Sequence, residues 1–149
     1  MTDFGDLERQ ARVLFEGERD PVANAANLAA LIWQALPDVN WAGFYFRKGH
    51  DLVLGPFQGR PACVRIAIGK GVCGTAAAER RAIVVADVHA FPGHIACDTA
   101  SRSEVVVPLI RNGEVVGVLD LDSPTPGRFS AADAAGLTGL ARAWVSASD

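Results

Sequence analysis

E-V-V-V-P-L-I-R-N-G-E-V-V-G-V-L-D-L-D, residues 104–122, consists of two apolar runs joined by Asn112-Gly113. Asn-Gly between such runs is the strongest short hairpin signal, because both central residues of the favoured turn need a positive φ. The spacing predicts strands over 104–110 and 114–122, antiparallel to each other, and excludes a purely parallel sheet for this pair. Pro108 donates no backbone hydrogen bond, so the first strand must lie at an edge or carry a bulge there. In the second strand Asp120 and Asp122 are two apart, so their carboxylates leave one face while Leu119 and Leu121 take the other.

Upstream, the apolar run 82–88 reads as a further strand. Between it and residue 104 lies F-P-G-H-I-A-C-D-T-A-S-R-S-E (91–104), which its Pro-Gly and Ser/Thr steps mark as a loop. Loops held between rigid strands are where chemistry is usually placed. Cys97 is the centre of this one. A free cysteine is often a small buried hydrophobe, but the company of His94, Asp98 and Arg102 favours a reactive thiol.

The rest of the chain fits around these strands. Leu7, Ala11, Leu14 and Phe15 recur at helical spacing, with Gly17 as the stop. Asp20-Pro21 reads as an N-cap with proline at the first helical position. Ala25, Leu28, Ala29, Ile32 and Leu36 form the buried stripe of that second helix. Residues 41–47 alternate, with Ala42, Phe44 and Phe46 on one face and Trp41, Gly43 and Tyr45 on the other. Residues 52–54 make a partner strand, after which Gly55-Pro56 and Gly59-Arg60-Pro61 break the chain. Residues 63–68 form another strand, and 72–80 a short helix with Cys73 in its first turn. Ser130, with Asp133 three residues on, starts a final helix whose apolar stripe is Leu137, Leu140, Ala141 and Trp144. This order fits one α+β domain over residues 1–149, a mostly antiparallel sheet of about six strands with helices packed on it.

Composition narrows the function classes. Of 149 residues half are hydrophobic, enough for a real core, and the net charge of −3 without a basic cluster argues against nucleic acid. No apolar run approaches the ~18 residues of a membrane span. Residues 1–8 lack the apolar core of a signal peptide, so the cytosol is the expected compartment. Three cysteines there point to catalysis, metal binding or burial rather than a disulfide framework.

Asp120 and Asp122 side by side repel unless a cation lies between them, a role that a ligand ammonium would fill. They would serve equally as a solvated strand end before Ser123-Pro124. Trp41 and Tyr45 share a face, and with the small Gly43 between them they could wall a pocket for a methyl or thioether group. That pair bears on function only if its face also carries the two aspartates. Cys63, Cys73 and Cys97 with His94 offer four zinc ligands, but no C-x-x-C pair is present and the spacing is poor for zinc. In the rival reading Cys97 is a nucleophile and another cysteine resolves its oxidised product as a disulfide. Spacing alone does not choose between Cys63 and Cys73.

The runs N-W-A-G-F-Y (40–45), G-P-F-Q-G-R-P-A-C (55–63), G-K-G-V-C-G (69–74), F-P-G-H-I-A-C-D (91–98), S-E-V-V-V-P-L (103–109) and G-V-L-D-L-D-S (117–123) resemble the free methionine-(R)-sulfoxide reductase family, enzymes built on a GAF domain. The likeness covers nearly the whole chain, and all three cysteines stand at the family's spacing. It departs only in a short leader and in the wording Arg65-Ile66-Ala67. The resemblance implies that Cys97 is the catalytic cysteine, Cys63 the usual resolving cysteine and Cys73 an accessory or alternative partner. It also implies that Glu104, Asp120 and Asp122 hold the substrate and assist proton transfer, with Trp41 and Tyr45 beside its methyl end. The implied substrate is free methionine (R)-sulfoxide and the implied external reductant thioredoxin. No bound cofactor or metal is expected, and the assembly expected is a homodimer. The rival class is a small-molecule-binding GAF sensor with redox-active cysteines. Such sensors usually sit beside an output domain, for which a single domain of this length leaves no room.

Overall fold

The computed structural model describes residues 2–94 and 100–149. In chain order the elements are α1 (Phe4–Phe15), α2 (Pro21–Ala35), β1 (Trp41–Lys48), β2 (Asp51–Gly59), β3 (Arg65–Ala67), α3 (Gly71–Glu79), β4 (Ile83–Val85), β5 (Ser103–Arg111), β6 (Glu114–Ser123) and α4 (Ala131–Ala147). A 3₁₀ turn, Val88–Ala90, follows β4. The strands form a six-stranded sheet in the order β3-β2-β1-β6-β5-β4, and every neighbouring pair is antiparallel. The expected α+β class is therefore the observed one.

Local chemistry sets the element ends. Asn112 and Gly113 both take positive φ, 51° and 80°, and close the β5–β6 hairpin. The Asp20 carboxylate accepts from the N–H groups of Val22 and Ala23 at the start of α2. Ser130 and Asp133 form a reciprocal capping box at the start of α4. Pro108 pairs with Val118 on β6, while β4 reaches only as far as Ile83 opposite Val106. β5 is thus a local edge at the proline, which is how the ladder tolerates it.

Four expectations change. α1 buries Leu7, Ala11 and Phe15 but exposes Leu14. The helix crosses α4 closely, with the Phe4 ring against Gly136 and the Glu8 carboxylate against Gly139, so its contact stripe is narrow. β2 does not end at residue 54. It runs on to Gly59, with a register shift between Gly43 and Tyr45 of β1 that absorbs Gly55-Pro56 as a bulge. The strand expected over 63–68 is only Arg65–Ala67, which leaves Cys63 in the preceding segment. The strand expected over 82–88 stops at Val85, because Asp87 caps the 3₁₀ turn by accepting from His89 N–H.

Strand alternation divides the sheet into two faces. Ala42, Phe44, Val105, Val107, Leu109, Leu119 and Leu121 pack against the stripes of α1, α2 and α4 in the larger core. On the opposite face, Trp41, Tyr45, Val106 and Val118 pack with Ile66, Val72, Ala76, Ile83 and Val85 from α3, β3 and β4. That second face has polar residues among the apolar ones, and it carries the candidate site.

Candidate active site

Register brings the predicted residues together. Trp41 of β1 lies opposite Asp122 of β6, and Asp122 lies opposite Glu104 of β5. One step along, Gly43 lies opposite Asp120, and Asp120 opposite Val106. Directly opposed residues in an antiparallel sheet hold their Cβ atoms about 5 Å apart. The two aspartates and the two aromatics therefore share a face, the condition under which the aromatics bear on function. A cavity opens over them, lined by Trp41, Tyr45, Cys73, His94, Ser101, Glu104, Asp120 and Asp122, with Pro61, Ala62, Ile66, Gly71 and Val72 around the rim.

Gly43 is small for a reason. A Cβ there would come within 2.8 Å of the Phe57 Cα and 2.9 Å of the Pro56 carbonyl oxygen, so the β2 bulge can lie close only over a glycine. This puts Phe57 on Trp41, ring centroids 5.2 Å apart, while Tyr45 stacks on the other side at 5.9 Å. Phe57 thus backs Trp41 from behind the two rings that line the cavity. Phe57 was missed in the sequence because its strand seemed to end at Gly55-Pro56. Alternation carried across the bulge would have found it.

The acids sit in an unusual environment. Glu104 and Asp120 are 6% and 5% exposed, and Asp120 Oδ1 is buried with no hydrogen-bond partner. Burial, followed by the charges of Asp120 and Asp122, pushes the Glu104 carboxyl well above the ordinary carboxylate range. Burial also raises Asp120, opposed by hydrogen bonds from Glu104 and Cys73. Burial thus favours the protonated form of both carboxyls, Glu104 above all. His94 Nε2 lies 3.8 Å from Glu104 Oε1. Burial, then the neighbouring His89, lowers the His94 pKa, so it supplies little positive charge. Two buried carboxyls, one with an oxygen that has no hydrogen-bond partner, favour a cationic or hydrogen-bond-donating ligand group.

The cysteines divide. Cys73 is a free, buried thiol with Sγ 4.0 Å from Glu104 Oε2. Burial, then the charges of Asp120 and Glu104, raises its pKa well above the usual thiol value, so it stays a neutral thiol rather than a thiolate. Its sulfur, with a carboxylate oxygen from each of Glu104 and Asp120, forms a group within 4.8 Å. The zinc set read from the sequence is not the one assembled, because Cys63 is disulfide-bonded. Cys97, expected at the centre, lies outside the described residues, as does Asp98. Cys63 itself is tied to the aromatic wall, with the Tyr45 hydroxyl donating to its carbonyl at 2.8 Å. Trp41 Nε1–H donates to the Arg60 carbonyl at 3.1 Å.

Comparison with known proteins gives the family and the fold. The family model for the GAF domain matches residues 24–147. Protein YtsP of Bacillus subtilis is 55% identical over 141 residues, spanning 93% of this chain and 86% of its own. The free methionine-R-sulfoxide reductase of Escherichia coli is 51% identical over 137 residues, spanning 92% of this chain and 83% of its own. The structure of the Staphylococcus aureus enzyme fRMsr in complex with substrate superposes with a TM-score of 0.94 at 47% identity, covering 99% of this chain and 96% of that one.

Proposed function

The chain belongs to the free methionine-(R)-sulfoxide reductase family, built on a GAF domain, and on that premise we propose that it reduces free methionine (R)-sulfoxide to methionine through Cys97 and Cys63. One observation carries the reading: the buried Glu104 and Asp120, with the half-buried Asp122 beside them, lie beneath a stacked aromatic wall in a cavity beside the segment that bears a disulfide-bonded cysteine. The trio suits the ammonium group of a free amino acid. A methionine inside a peptide has no such group to offer. The aromatic wall suits the methyl and thioether end. Preference for the R epimer rests on the family likeness alone.

The chemistry balances as two thiol steps. Cys97 thiolate attacks the sulfoxide sulfur, and the departing oxygen stays on Cys97 as a sulfenic acid while methionine leaves. Glu104, whose carboxyl burial raises well above the ordinary carboxylate range, is assigned the protonation of that oxygen. The Cys63 thiol then condenses with the sulfenic acid, releasing water and forming the disulfide. Support for Cys63 over Cys73 comes from their states: Cys63 is disulfide-bonded, while Cys73 is a free thiol held neutral. Thioredoxin, as external dithiol, attacks the disulfide and leaves oxidised itself.

The same reading takes residues 1–149 as one catalytic domain, acting as a cytosolic homodimer without a bound cofactor. None of the described helices is long and apolar enough to cross a membrane. The test is turnover. The protein with thioredoxin or dithiothreitol should reduce the free R epimer, and act on the same group within a peptide at least tenfold more slowly. Equal rates on the two substrates would contradict the assignment of the acids, and no turnover at all would leave a ligand-binding sensor in its place.

A further inference from the structure

The segment between β2 and β3 carries Cys63 and is held to the sheet by few groups. β2 ends at Gly59, and the next backbone bond to the sheet is Leu54 N–H donating to the Val64 carbonyl at 2.9 Å. Between those points, besides the disulfide at Cys63, two side-chain bonds from the aromatic wall reach the segment among the described residues. Trp41 Nε1–H holds the Arg60 carbonyl and the Tyr45 hydroxyl holds the Cys63 carbonyl. Both donors are rooted in β1, an inner strand of the sheet, and both side chains are buried. Arg60 and Pro61 are exposed and Cys63 is half-buried, so neither solvent nor core packing alone would hold the segment in one place.

The Tyr45 hydroxyl proton is therefore taken, which leaves the oxygen only as an acceptor towards a substrate. It is engaged with the main chain of the cysteine. We propose that Tyr45, assisted by Trp41, is a positioning residue for the resolving cysteine: it pins the Cys63 backbone so that the thiol stays within reach of its disulfide partner. This rests on the resolving role given to Cys63 above. Pinning one thiol raises its effective concentration towards the other, which favours the disulfide both in rate and at equilibrium.

Tyr45→Phe keeps the ring and removes the tether. In a glutathione redox buffer, with no sulfoxide present, the disulfide of the variant should be about tenfold easier to reduce than that of the wild type, a midpoint shift of about 30 mV. After one equivalent of free methionine (R)-sulfoxide, sulfenic acid should persist longer in the variant, and a sulfenic-acid trap should label it more heavily. Trp41→Phe removes the other tether and should move the midpoint in the same direction. It provides the test if Tyr45→Phe is poorly folded. Midpoints equal to wild type in both variants would overturn the inference, as would a higher KM for sulfoxide with an unchanged rate of disulfide formation. The redox measurement uses no substrate. Failure of the proposed activity, seen as absent turnover in the wild type, is therefore distinguished from failure of the tether.

Discussion

Glu104 and Asp120 are set apart from the other acids by burial, because the sheet places them where little water reaches. A carboxyl whose folded-state pKa is raised binds its proton more tightly folded than unfolded. Folding then takes up protons between the two pKa values, and stability falls as pH rises through that window. The contribution is fully present below the unfolded value and is lost above the raised one. Thermal melts from pH 4 upward should show this decline in the ligand-free protein, and Glu104→Gln should flatten it. Asp120→Asn should leave the melting temperature unchanged or raise it, because it removes a buried charge while the amide oxygen can still accept from Glu104 and Cys73. It should also raise KM for free methionine (R)-sulfoxide at least tenfold. A melt that collapses in Asp120→Asn would instead show a structural role. If Glu104 is the proton donor, Glu104→Gln should lower kcat by about 100-fold or more, whereas Cys73→Ser should change it least of the three cysteine variants.

At the scale of elements, the sequence was most informative where period-two alternation and turn chemistry agreed. The hairpin at Asn112-Gly113 and the division of β1 into an Ala42/Phe44 face and a Trp41/Tyr45 face are local properties, and both stand in the structure. The pairing that puts Trp41 opposite Asp122, and Asp122 opposite Glu104, joins residues far apart in the chain. Nothing in the local pattern specifies that register, so Glu104 joined the two aspartates through family likeness, whereas the Asp120/Asp122 pair was legible from spacing. Gly55-Pro56 misled for the opposite reason: it breaks a regular strand, but a bulge accommodates it and carries Phe57 onto Trp41. Gly43 makes that approach possible. Gly43→Ala should cost about 1–3 kcal/mol, as overpacking does, and should loosen the aromatic wall. Urea unfolding would read the first effect and a raised KM the second. An Ala variant of wild-type stability would mean that the close approach is not required.

For the molecule as a whole, the two faces of the sheet divide the labour. One face buries the apolar stripes of α1, α2 and α4 and holds the fold together. The other, beneath α3, accepts buried acids and a free thiol that a purely structural layer would exclude. The most direct test of the account oxidises the reduced protein with one equivalent of free methionine (R)-sulfoxide and maps the cysteines by mass spectrometry while counting methionine. The account predicts one methionine per chain, a disulfide joining Cys63 to Cys97, and Cys73 recovered as a free thiol. Cys73 joined to Cys97 would contradict the assignment of the resolving cysteine, and no methionine formed would contradict the function itself.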